Sequence, residues 1–344
     1  MTTWRTYADP PQSDPALGAH ERRQRARARR NEIDFVEAMR TSGTGYVVWM
    51  CADALDAVAG PSGVVLDAAH VDDSLPGPWE ADLIDLALLQ DMGPRAVEAM
   101  AEGYQQGVAA IAAEPLHSAR VEALRRSRRL ADDIAKGAAQ SSATAVRRLT
   151  ASGARLRRDR VEAHWGSSAS SPGDLGAEMA QYRESLPESC ARLVAQYRVA
   201  DALAGADGRL MVLLARGSDG EDVLLLEAAA AQPSMREDAY GAWRDGSDVQ
   251  RVLLAREAVP LVPAEFAGWS TSVDGAVARV WSRARSATER PDLGGRRARA
   301  RRLGTALGLL HAANSDAASL AGYLGHSRGF AAAVRDAVLA SRGA

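Results

Sequence analysis

Between residues 53 and 73 the chain places Asp53, Asp56, Asp67, His70, Asp72 and Asp73 around short apolar runs. Such a set has two chemical uses. An imidazole with two or three carboxylates suits a Zn or Mn ion, with His70, Asp67 and Asp72 as the ligands. Without a metal, Asp53, His70 and Asp72 could divide acid and base roles in a cleft. The plainer reading is structural, and the pattern alone favours it. Asp72 and Asp73 then begin a turn, while Glu80 and Asp82 favour the start of a helix, where the macrodipole stabilises negative charge. Cys51 beside Asp53 is either a nucleophile or, as is commoner for a cysteine at a strand end, buried packing. Ser-His-Asp catalysis has no support: no G-x-S-x-G is present, and His20, His70, His117, His164, His311 and His326 are scattered.

The positive charge is almost all arginine. The chain has one lysine, Lys136, and two asparagines, Asn31 and Asn314, so a phosphate-binding lysine or a metal-binding asparagine has almost no candidates. Arginines cluster at 22–30, 125–129, 155–160 and 296–302. Each cluster could meet a phosphate backbone. The net charge of −2 and the 5% aromatic content make nucleic-acid binding the weaker reading, since there is little to stack on bases. The densest run, Arg22, Arg23, Arg25, Arg27, Arg29 and Arg30, is the candidate docking segment for an acidic protein partner.

These residues must be positioned by a sizeable fold. The 344 residues, 47% apolar and 25% charged, are enough for about two domains. Apolar runs stop well short of the ~18 residues of a membrane span, and Met1 to His20 lacks a signal-peptide core. Two cysteines exclude a disulfide framework. A soluble, cytoplasmic protein is expected. Residues 1–15 read as a flexible tail and 16–40 as a charged helix. Tyr46–Met50 and Val64–Leu66 read as short strands around a turn, together a small hairpin. Apolar spacing predicts helices at 79–90, 93–113, 117–138 and 141–152. The Ser/Gly/Pro-rich segment 165–175 is the candidate linker between a region 16–164 and a region 176–344. Beyond it the pattern predicts a helix at 187–204, then the clearest hairpin, Leu210–Leu214 and Val223–Leu226 about Gly217-Ser218-Asp219-Gly220. A helix at 247–258, a strand at 277–282 and helices at 296–313, 316–324 and 327–341 complete the chain. The expected class is α+β, mostly helical, with small antiparallel sheets.

Asp72-Asp73-Ser74-Leu75-Pro76-Gly77-Pro78-Trp79-Glu80-Ala81-Asp82 resembles the D-E-T-L-P-G-P-W-E-W-D signature of a bacterial family, common in actinobacteria, called domain of unknown function 2252. Tyr197-Arg198-Val199-Ala200-Asp201 resembles its Y-R-x-x-D, and Ala231-Gln232-Pro233-Ser234 its A-Q-P-S. Gln250-Arg251-Val252, Gly268-Trp269, His311-Ala312, Asp316 and Leu320 to Gly325 match further motifs in order. The resemblance covers about residues 45–341. Members are similar to aminoglycoside phosphotransferases and protein kinases, which implies a two-lobed fold, here with the nucleotide-binding lobe after the catalytic lobe, a permuted order. Region 16–164 would then be like the catalytic lobe, and 176–344 like the nucleotide lobe plus C-terminal helices.

The parts that phosphoryl transfer uses are degraded together. Against the family's G-D-A-H-L-x-N loop, Asp53 persists, but Leu55 stands for the His and Val58 for the metal-binding Asn. Against D-x-N-D-F-D-E, His70 stands for the metal Asp; against V-K-E-A, Ala229 stands for the lysine. The glycine-rich loop is shortened to Ala202–Arg209. A lysine, loop amides and Mg²⁺ ligands supply most of the positioning and charge stabilisation in this chemistry. The resemblance therefore implies a pseudokinase-like protein, with no catalytic residue and no cofactor. It would act on a protein partner, an active relative or a biosynthetic enzyme, or on that enzyme's peptide or small-molecule substrate. An enzyme that reuses the cleft through Asp53, His70 and Asp72 is the alternative, and an Arg-rich nucleic-acid-binding module the weaker one.

Overall fold

A computed structural model describes residues 47–52, 55–60, 63–68, 71–132, 149–151, 154–217, 222–237, 243, 246–262, 264–272, 275–284, 295–325 and 329–342. The tail 1–15, the helix expected at 16–40 with Arg22 to Arg30, and Asp53, His70 and Lys136 lie outside the described residues. The fold is α+β, with more residues in helices than in strands. No described helix is long and apolar enough to cross a membrane.

The first core is helical. Helices α1 (Trp79–Leu89), α2 (Pro94–Ile111), α3 (Leu116–Asp132), α8 (Arg296–Ala313), α9 (Ala317–Leu324) and α10 (Gly329–Arg342) all contribute to it. Each sets an apolar stripe inward at helical spacing: Val97, Met100, Ala101, Tyr104 and Val108 on α2, and Leu303, Ala306, Leu307 and Leu310 on α8. Pro94 opens α2 at its first turn, where its missing N–H costs nothing. Helices α2 and α8 approach closely through glycines. A Cβ on Gly304 would collide with the Met100 carbonyl, and one on Gly308 with that of Tyr104. Trp79 stacks on Tyr104 at 5.7 Å and meets Tyr323 and Phe330, each at 6.1 Å.

The second core surrounds a six-stranded antiparallel sheet, in the order β11 (Gly268–Thr271), β12 (Ala278–Arg283), β10 (Asp222–Ala230), β9 (Leu210–Arg216), β8 (Arg198–Gly205), β7 (Ala169–Ser170). Strand β9 is central and covered on both faces, which explains its uninterrupted apolar run. Leu210, Val212 and Leu214 pack with Tyr182 of α5 (Gly176–Ser185) and Val194 of α6 (Glu188–Val194). Met211, Leu213 and Ala215 pack on the other side with Val161 and Trp165 of α4 (Arg158–Trp165). Helix α7 (Asp248–Ala258) begins with a capping box between Ser247 and Gln250 and joins the sheet to the helical region.

Most expected helices and the 210–226 hairpin are present, with shifted ends. Several pairings differ from expectation. Strand β1 (Val47–Trp49) pairs with β4 (Pro76–Pro78), and β3 (Gly63–Ala68) with β2 (Leu55–Gly60), so the two runs at 46–50 and 64–66 are not partners. The helix expected at 187–204 ends at Val194. Residues 198–205 are strand β8, because pairing with β9 overrides the helix propensity of an alanine-rich stretch. Within the helix expected at 141–152, residues 141–148 and 152 lie outside the described set, while β5 (Thr150–Ala151) pairs with β6 (Arg155–Leu156). Segment 165–175 carries β7 on the edge of the six-stranded sheet.

Candidate functional site

The segments that resemble family motifs converge although they are far apart in the chain. The Arg251 side chain on α7 is fully buried and donates from Nη1 to the Asp72 and Ser74 carbonyls, each at 2.8 Å, and from Nη2 to the Gln232 carbonyl at 2.6 Å. Ser234 Oγ donates to the Asp73 carbonyl at 2.8 Å, and the Met235 N–H to Asp73 Oδ1 at 2.7 Å. Arg236 follows, with Nη1 2.8 Å from Asp85 Oδ2 and 3.6 Å from Asp82 Oδ1. One turn, 72–74, is thus tied to the exit of the sheet and to α7. A buried guanidinium suits this task because its planar fork satisfies several carbonyls at once.

Behind the turn lies a buried polar relay. Asp82 Oδ2 is 3.0 Å from His311 Nε2, and His311 Nδ1 is 2.9 Å from the Tyr104 hydroxyl. The Asp82 carboxylate also accepts the Cys51 N–H at 2.7 Å and the Ala52 N–H at 3.0 Å. A carboxylate only accepts, so Nε2 carries the proton; in the neutral ring Nδ1 then accepts the Tyr104 O–H. Burial pushes the Asp82 carboxyl up. The His311 hydrogen bond and charge, Arg236 and the Cys51 N–H outweigh burial and leave it below its ordinary value. Burial, with the charges of Glu80, Asp82 and Cys51, holds the Tyr104 phenol far above its usual range. Ligand atoms of Cys51, Asp82 and His311 lie within 4.8 Å of one another, a set whose chemistry suits zinc. The Arg236 cation beside Asp82, and the Asp82–His311 hydrogen bond itself, oppose an added dication. We read the group as core structure.

Among the described residues a cleft of about 250 Å³ opens between the sheet, α7 and the 71–72 turn. Glu227 and Ala229 on β10 share its sheet face, as residues two apart on a strand must. Asp72 comes from the turn, Arg256 from α7, Arg209 from the start of β9, and Ser282 and Arg283 from β12. Asp72 Oδ1 accepts Arg256 Nε at 3.0 Å and Nη2 at 2.8 Å, while Arg256 Nη1 reaches Ser282 Oγ at 3.0 Å. Glu227 accepts the Trp165 indole N–H at 2.9 Å and lies 3.9 Å from His164.

The residues singled out in the sequence have separate fates. Asp67 is buried and accepts backbone N–H groups from Ala68 at 2.8 Å, Leu261 at 2.7 Å and Val262 at 2.8 Å, which anchors β3 to the chain after α7. It does not line the cleft, whereas Asp72 does. Cys51 is completely buried, and Leu55 is buried on β2. Val58 stands opposite Val65 in the β2–β3 register. Ala229 lines the cleft. Asp53 and His70 lie outside the described residues; of the metal constellation Asp67 and Asp72 are placed and do not share the cleft, and of the acid–base constellation Asp72 is placed. Reasoning from the sequence did not foresee the roles of Asp82, His311, Arg251 or Arg256. The first three sit inside quoted motifs, which was the available signal; Arg256 had none.

A scan of sequence families matches residues 35–342 to one described as "Uncharacterized protein conserved in bacteria (DUF2252)". Searches of curated proteins and of solved structures give no match. The chain belongs to the DUF2252 family.

Proposed function

We propose that this member of the DUF2252 family is a phosphotransferase-like scaffold without group-transfer chemistry, which acts by binding a protein partner. On this reading the helical region corresponds to a catalytic lobe, the sheet region to a nucleotide lobe, and the cleft to the space between them. One observation carries it. Ala229, the position at which the family resemblance calls for a phosphate-binding lysine, lies on the cleft face of β10 beside Glu227. A methyl group there supplies no charge, and the surrounding cations are arginines engaged with carboxylates. Leu55, Val58 and His70 add the loss of other parts that would position phosphates and Mg²⁺.

Calorimetric titration with Mg-ATP tests this reading. We expect no saturable binding and no turnover of ATP. Binding tighter than about 100 μM, roughly −5.5 kcal/mol, or measurable phosphoryl transfer, sinks it.

A further inference from the structure

The cleft is small, preformed and rich in guanidinium. At about 250 Å³ it lies below the usual range of drug-sized ligand pockets, roughly 300–1,000 Å³, so it fits a small molecule better than a whole nucleotide. Its shape is pinned from behind. Arg251 holds the backbone of the turn that carries Asp72, and Arg256 holds the Asp72 side chain against β12 through Ser282. Arg256 thereby spends its donors on structure.

Arg209 and Arg283 are differently placed. Arg209 stands over the Trp165 ring at 5.6 Å and donates from Nη2 to the Trp165 carbonyl at 3.1 Å. Its Nε and Nη2 both meet Asp207 Oδ2 at 2.6 Å, and its Nη1 has no hydrogen-bond partner among the described residues. Arg283 meets Glu265 at 2.5 Å. Asp207 and Glu265 are 44% and 47% exposed. Exposed ion pairs of this kind are weak, so a multiply charged anion can compete for the guanidinium forks. The cleft's own carboxylates are already answered: Asp72 by Arg256, and Glu227 by the Trp165 indole and His164.

We propose that this cleft binds a small, multiply charged oxyanion, a phosphate or carboxylate compound, through Arg209 and Arg283 and without a divalent cation. The site rests on the reading of the cleft as a place of binding and not of transfer. It assigns the missing lysine's space to a ligand in place of a nucleotide.

The experiment is calorimetric titration of the full chain with pyrophosphate and, separately, with citrate, at low ionic strength in the presence of EDTA. Saturable binding of either with a Kd below about 1 mM is the expected result. Pyrophosphate alone marks a phosphate compound as the source, citrate alone a carboxylate. Arg209→Ala and Arg283→Ala should each weaken binding at least about tenfold, while Arg192→Ala on exposed α6 leaves it unchanged. Where an alanine variant loses its far-UV circular dichroism, the lysine variant replaces it. Lysine keeps the charge but loses the fork, so weaker binding is again expected. Absence of saturable binding by both probes overturns the proposal. So does binding that survives both substitutions, or binding that appears only after Mg²⁺ is added. Turnover of Mg-ATP would instead remove the non-catalytic reading and leave an oxyanion site standing.

Discussion

His311 Nε2 and Asp82 Oδ2 lie 3.0 Å apart in the centre of the helical core, although 229 positions separate them in the chain. The contact joins the start of α1 to the C-terminal turn of α8. Tyr104 completes it from α2, so three helices are fixed to one another by one string of polar groups. Buried polar groups that satisfy each other in this way specify a single packing arrangement, because any slip leaves one unpaired.

Removing the middle member should therefore cost more than removing an end. His311→Ala is expected to destabilise the fold by about 3–5 kcal/mol, since it breaks the buried Asp82–His311 pair and leaves the Tyr104 hydroxyl without its partner. Tyr104→Phe removes one hydrogen bond and is expected to cost about 1 kcal/mol. Urea unfolding of both single variants and the double variant checks this. Strict additivity would show that the relay does not act as a unit.

The same contact makes stability depend on acid. Asp82 titrates below its ordinary value of 3.8 in the folded chain. The unfolded state thus takes up a proton first, and the contribution of Asp82 is complete above pH 3.8 and fades as pH falls through the lower folded value. Unfolding free energies from pH 6 down to pH 2.5 should show the gap between the native chain and Asp82→Asn narrowing toward the acid end. A gap that stays constant would assign the depressed value to some other group.

The α2–α8 crossing leaves no room at Gly308, where an added Cβ would meet the Tyr104 carbonyl. Gly308→Ala is expected to lose about 1–3 kcal/mol by overpacking, despite alanine's higher helix propensity. Thermal denaturation reads this directly. A variant as stable as the native chain would mean that the two helices separate without cost.

The segment with Arg22 to Arg30 precedes the family match at 35–342. Deleting residues 1–30 should leave the circular dichroism and melting temperature intact but weaken capture of the partner, most clearly at low salt, because charge steering is screened as ionic strength rises. Unfolding of the shortened chain would make the segment part of the packing. Unchanged partner affinity and salt dependence would move the interface elsewhere.

Local pattern alone was enough to locate α1, α2, α7, α8, α9 and α10 from their apolar spacing, and the β9–β10 hairpin from two apolar runs about a Gly-rich turn. It was enough, too, for the family, whose L-P-G-P-W-E core stands unbroken at Leu75–Glu80. It failed at β8, where an alanine-rich run takes its conformation from the neighbouring strand, at β1, whose partner β4 is distant in the chain, and at β3, which pairs with β2 directly before it. The acids read from one stretch of sequence went to different tasks: Asp67 to three backbone amides, Asp72 to Arg256 and Asp82 to His311. Apart from Ala68 beside Asp67, each partner is distant in the chain, and spacing along a sequence carries no record of such pairs. Their assignment required the tertiary fold, because charge and hydrogen bonding act through space, and only the packing of α7, the chain just after it and α8 against residues 67–82 brings those donors within reach.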